Sequence, residues 1–243
     1  RGGFVAHMFD SAAAPFWLAS ALGLLNTISV SLFLPETHHN RQTEHQFHFL
    51  KGIHNIMAAW RDHDARPVYL SSFLDASGFA FFTSFVGIML VSRFGLDEKA
   101  IGTFFGIVGV WIVITQIFIL RFLTARYNEK TILRVSLLVL AGILFAYPFI
   151  PSVWWLYALA PLLSIPNGLS MANMGALVSK SVSSQKQGAA LGINGSLMAL
   201  SQGLIPLCAG VVSATLGIAA PFMVGSLLVV LAWLTLFVFL KRH

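Results

Sequence analysis

The sequence predicts an all-α membrane protein of about seven transmembrane helices. Hydrophobic residues make up 57% of the 243-residue chain and charged residues only 10%, with a mean hydropathy of +0.79. A soluble domain carries about 25% charged residues, because water must solvate its surface. With so few charges, lipid must be the solvent for much of this surface. Apolar runs of roughly 20 residues, the length that crosses a bilayer at 1.5 Å per residue, recur along the chain. Inside hydrocarbon every backbone amide must bond internally, so these runs are helices. The alternating ten-residue segments of an outer-membrane barrel are absent.

The first span covers 14–34 and begins Ala14-Pro15-Phe16-Trp17. Segment 35–66 is the one long polar stretch, and its start from Thr37 to Gln46 is polar throughout. Phe47, Leu50, Ile53, Ile56, Met57 and Trp60 recur at helical spacing, which predicts a short amphipathic helix against the bilayer or bundle. Pro67 marks the start of the second span, 67–92. The remaining spans fall at 100–120, 131–149, 154–178, 188–214 and 220–240. Arg1-Gly2-Gly3 lacks a charged region followed by an apolar core and cleavage site, so no signal peptide is expected there. A single Cys208 excludes an internal disulfide.

Loop charges alternate with the spans. Arg41, Lys51, Arg61 and Arg66 lie before the second span, and Arg121, Arg126, Lys130 and Arg134 after the third. Lys180 and Lys186 follow the fifth, and Lys241 and Arg242 end the chain. The intervening turns hold only Arg93 and Lys99, balanced by Asp97 and Glu98. The positive-inside rule places the richer side, and with it the C-terminus, in the cytoplasm. The net charge of +6 is thereby accounted for by topology and gives no support to nucleic-acid binding.

An internal repeat shows further organisation. Gly2-Gly3 followed by Ala14-Pro15-Phe16-Trp17 is matched about 200 residues later by Ala209-Gly210 followed by Ala220-Pro221-Phe222-Met223. Unless this is chance similarity between two apolar helices, the same helix pair closes two halves, and internal repeats are how many transporters are built. Gly2-Gly3 looks like the end of a Gly-Pro-x-x-Gly-Gly antiporter motif, and Leu34-Pro35-Glu36-Thr37 like a Pro-Glu-Thr helix closure. The 121–130 turn, RFLTARYNEK, is similar to a degenerate Gly-x-x-x-Asp-Arg-x-Gly-Arg-Lys loop. Arg126 and Lys130 match that loop, whereas Arg121, Ala125, Asn128 and Glu129 depart from it. Segment 185–210, from Gln185 through Pro206 to Gly210, resembles an eleventh helix of the same pattern. Together these features resemble the major facilitator superfamily, in particular its bacterial multidrug and tetracycline-efflux members. The resemblance implies helices six to twelve of a twelve-helix transporter. It divides the chain into 1–34 (the end of helix five and helix six), 35–66 (a cytoplasmic interdomain loop) and 67–243 (a C-terminal six-helix half).

Asp75 is the only acid inside a predicted span. An ionised carboxylate at membrane depth costs at least ~2.5 kcal/mol, so it faces a wet cavity, pairs, or titrates. It is the candidate for proton coupling, or else a shallow carboxylate paired with a cytoplasmic Arg or Lys. Ser71, Gly78, Phe79 and Phe82 share its helix face, and the resemblance implies that this helix lines the central cavity. Pro161, Pro166, Asn167 and Gly168, with Asn173 beyond, mark a broken helix suited to binding a ligand, or simply a packing kink. Asn194, Met198, Ser201 and Gln202 share one face of the next helix, while Gly188, Gly192, Ser196 and Gly203 read as helix–helix contact. Gln116 is a further polar candidate, and Phe79, Phe82, Met171, Met174 and Met198 suit an adaptable apolar pocket.

His38, His39, His45, His48, His54 and His63 crowd the polar segment, but their spacing matches no zinc pattern and they read as solvated histidines. No cofactor, metal or catalytic constellation is expected, so the chain is not read as an enzyme. The predicted function is secondary active transport of a small molecule, namely proton-coupled efflux of a lipophilic drug-like compound by alternating access. The expected partners are that substrate, protons, the bilayer of the plasma (inner) membrane and an N-terminal half of the same chain. Alternatives are a metabolite or sugar importer of the same fold, or a seven-helix receptor. Against the latter, the last helix carries no Lys before Lys241 that could hold retinal.

Overall fold

The computed structural model describes residues 13–33 and 65–242. The amphipathic segment, the histidine-rich stretch, Gly2-Gly3 and Leu34-Pro35-Glu36-Thr37 lie outside the described residues. Within them the chain is all helical. The helices are α1 (Ala14–Phe33), α2 (Arg66–Phe94), α3 (Glu98–Thr124), α4 (Glu129–Ala146), α5 (Val153–Lys180), α6 (Gln187–Leu216) and α7 (Ala220–Arg242). Each falls on one predicted span. Six are long and apolar enough to cross a membrane by length and composition. The other, α5, is as long but more polar through Pro166, Asn167, Ser170 and Asn173. All four are buried, so its polarity meets protein and not lipid.

Helix boundaries follow local chemistry. Pro67 sits in the first turn of α2, where a missing N–H would have no partner anyway. Gly95 closes that helix with a left-handed φ of 62°, its N–H bonding Val91 O. Asp97 caps α3 by accepting from the Ala100 N–H at 2.8 Å. Asp97→Ala is expected to cost about 1 kcal/mol, read as a small fall in the thermal midpoint. Within α3, Thr115–Ile119 forms a π turn in which the Leu120 N–H bonds Thr115 O. The end of α4 tightens into a 3₁₀ turn at Tyr147–Phe149, around Pro148.

The core is built on α2. This helix packs most extensively on α7, then on α6, while α4 joins α5 and α7, and α3 lies on α5. The α2–α7 crossing is a glycine seam. A Cβ on Gly78 would stand 2.6 Å from Gly225 O, and one on Gly225 would stand 2.7 Å from Gly78 O. Small residues permit this backbone approach where lipid supplies no hydrophobic drive. Ser71 Oγ donates to Ala232 O at 2.9 Å on the same seam, and Ser226 Oγ ties α7 to α4 through Ala141 O at 2.8 Å. Phe82 meets Tyr147 edge-on at 4.9 Å and Phe222 at 5.9 Å, forming the aromatic centre of the core.

The two ends of the bundle are fastened separately. At one end Lys180 Nζ donates to both Glu129 carboxylate oxygens at 2.8 Å, joining the start of α4 to the end of α5. At the other, Arg93 donates to Pro148 O, joining the end of α2 to the end of α4. The turns thus alternate between ends as the charge pattern requires. None of the apolar stretch of α1 is buried in this core: Trp17 is 74% exposed and Phe33 80%.

Candidate functional site

A cavity of about 440 Å³ opens between α2, α5 and α6. From α2 come Ser72, Asp75, Ala76, Phe79, Ala80, Thr83 and Ser84, at the three- and four-residue intervals that define one helix face. Helix α5 contributes Asn167, Met171 and Met174, and α6 contributes Asn194, Met198, Gln202 and Pro206. The wall is mainly apolar, with thioethers and a Phe ring surrounding a few polar groups.

Asp75 is 7% exposed and carries the only formal charge in this lining. Its Oδ2 accepts from Ser170 Oγ at 2.8 Å, and its Oδ1 has no hydrogen-bond partner. Among the described residues the side-chain partner of Asp75 is Ser170. Ser170 is also 3.3 Å from Asn167 O, one turn back on α5. Asn194 spans α2 and α6: its Oδ1 accepts from Ser72 Oγ at 2.6 Å, and its Nδ2 leans on Met198 Sδ at 3.7 Å.

Of the residues expected from sequence, Asp75, Phe79, Asn167, Met171, Asn194 and Met198 meet at this cavity. Four others lie elsewhere. Ser71 is turned onto α7 by its bond to Ala232 O, and Phe82 fills the aromatic core. Ser201 is fully buried against Ser77 Oγ at 3.0 Å, in the α2–α6 contact behind the cavity. Gln116 is exposed, because the buried line of α3 runs through Phe104, Val108 and Thr115 and leaves the next residue about 100° away. Gly168 belongs to packing, since its Cβ would lie 3.2 Å from Thr115 Cγ2. Sequence reasoning did not single out Ser72, Ser84 or Ser170. Ser72 follows from Asp75 by helical spacing, whereas Ser84, nine residues on, does not, and the Ser170 contact spans 95 residues and leaves no local signal.

Arg126 and Lys130 lie at the α3–α4 turn. Arg126 stacks on Phe122, 4.0 Å above the ring centroid. Lys130 lines an open surface cavity with Glu129 and Lys180. Glu129, one of the departures from the loop pattern, is the residue that takes the ion pair with Lys180.

The family model described as Major Facilitator Superfamily matches residues 68–243. The chain belongs to the major facilitator superfamily. Nothing among curated proteins matches it. Among solved structures it resembles the human organic anion transporter MFSD10 (TETRAN), with a TM-score of 0.77 at 22% identity. That likeness covers 92% of this chain and 57% of the other, so the chain spans little more than half the length of this neighbour. As a member of this superfamily the chain is an integral, multi-pass membrane protein. Membership sets aside the seven-helix receptor alternative.

Proposed function

We propose that the chain carries the end of the first half and the second half of a proton-coupled exporter of a lipophilic small molecule. In this reading 67–243 is the C-terminal six-helix half, 1–34 supplies the end of helix five and helix six of the first half, and 35–66 links the halves in the cytoplasm. The observation that carries it is Asp75, a buried carboxylate with one free oxygen in an otherwise uncharged cavity. Desolvation penalises such a group when ionised, and protonation relieves the penalty. A carboxylate that gains and loses a proton biases which side of the membrane the cavity faces. The halves then rock about a midplane site. The phenyl and thioether walls suit apolar compounds of varied shape, which favours a drug-like substrate. A bacterial multidrug or tetracycline-type exporter in the plasma (inner) membrane, with the C-terminus and the Arg126–Lys130 turn in the cytoplasm, agrees with the loop charges.

The test is reconstitution of the complete transporter in proteoliposomes under an imposed pH gradient. Lipophilic fluorescent compounds are expected to accumulate, and a protonophore to abolish the accumulation. Accumulation indifferent to the gradient would remove proton coupling. Sugar counterflow without transport of lipophilic compounds would establish the metabolite importer in its place.

A further inference from the structure

We infer that the turn between α3 and α4 binds an anionic phospholipid, with an acyl chain in an apolar groove and the phosphate against Lys130. The inference is independent of the central cavity and of what is transported. A second cavity, of about 230 Å³, lies between the end of α3 and the first turns of α4, and Leu169 of α5 contributes to it. Helices α3 and α4 each pack on α5, so the groove is a valley between two helices over a third. Ile132, Ser136 and Leu169 are buried and form its floor, while Tyr127 and Val135 are exposed at its rim. Leu169 is two residues from both Asn167 and Met171, which line the central cavity, and so stands about 160° around α5 from either. The groove therefore lies on the side of α5 turned away from the central cavity.

Its occupant is set by what it runs into. Tyr127 lines both the groove and the open surface cavity at the α3–α4 turn, to which Asn128 and Lys130 also belong. Glu129 in that cavity is already neutralised by Lys180 at 2.8 Å, so the exposed Lys130 sets the sign of the local charge. Arg126, next to Tyr127 and stacked on Phe122, adds to it. An apolar trough, then an exposed tyrosine, then cations is the profile of an amphiphile. A chain fits the trough, a phenol sits at headgroup level, and lysine and arginine attract anionic headgroups. A sterol would fill the trough and leave the cations unused. A phosphatidylcholine brings a cation of its own beside its phosphate.

The complete transporter is placed in nanodiscs that carry a trace of phosphatidylglycerol or of phosphatidylcholine, each with the same photoreactive acyl chain, and the labelled peptides are mapped. Phosphatidylglycerol is expected to label 123–136 about fivefold more than phosphatidylcholine, the effect of one lysine near an anionic surface. Lys130→Gln is expected to remove that preference, and Lys130→Arg to keep it. Val135→Trp, at the exposed rim, is expected to fill the groove and lower labelling by both lipids while the protein elutes as before on size-exclusion chromatography. Equal labelling of 123–136 by the two lipids overturns the inference, and that comparison needs only the unaltered protein. So does a preference that survives Lys130→Gln, or one of the same size on the α7 peptides, which would mark general enrichment around the bundle.

Discussion

Asp75→Asn is expected to reduce proton-driven flux of an uncharged compound to background while leaving the bundle folded. The substitution is nearly isosteric, and its carbonyl oxygen can still accept from Ser170, which now bonds Oδ2 at 2.8 Å. What it removes is the ability to take up and release a proton at the single charged position of the cavity. The thermal midpoint should therefore move by no more than about 2–4 °C, the equivalent of about 1 kcal/mol for a chain of this size. Counterflow of the uncharged compound, which needs no net proton movement, should persist. Flux measured in proteoliposomes at several pH values checks both parts. Wild-type flux with an unchanged pH profile would take Asp75 out of the mechanism.

Gly78→Leu should be the most damaging single change to the fold. A Cβ there meets Val229 Cγ2 at 2.5 Å and Gly225 O at 2.6 Å, and a backbone oxygen cannot swing aside as a flexible side chain can. The α2–α7 crossing would have to open. That would strain the Ser71 bond to Ala232 O and the contact of Phe82 with Phe222. Overpacking costs about 1–3 kcal/mol in well-filled cores, and more where backbone must move. Loss of the monodisperse peak on size-exclusion chromatography after mild heating is the expected readout. Gly142→Ala is the matched control: nothing lies within 4 Å of its added Cβ. Removing backbone freedom there should be neutral or stabilise by up to about 1 kcal/mol. If Gly78→Leu survives heating as well as Gly142→Ala, the seam is not a close contact.

The helices were legible because membrane spans are written in long contiguous runs, and loop charges check their number independently. Asp75 was legible for a related reason: one acid in an apolar span is expensive enough to stand out. The finer assignment of residues to faces was not. Ser71 and Ser72 are neighbours with the same chemistry, yet one is turned onto α7 and the other onto Asn194. Only the partner helix, more than 100 residues away, distinguishes them. Phe79 and Phe82 differ in the same way, one lining the cavity and the other closing against Tyr147. The glycine seam was equally hidden. Helical spacing places Gly78 on the Asp75 face, and nothing near it in sequence announces the carbonyl of Gly225.

The π turn in α3 has a consequence for how relatives are aligned. Its Leu120-to-Thr115 hydrogen bond closes a loop one residue wider than a regular helical turn. That extra residue advances everything beyond it by about 100° around the axis. A relative whose third helix lacks the bulge cannot be superposed on this one without a gap. An ungapped alignment would match buried positions such as Phe104 and Val108 correctly, then set the remaining turn of the helix, Leu120–Thr124, about 100° out of register. Placing a one-residue gap within Thr115–Ile119 keeps both ends of the helix in phase.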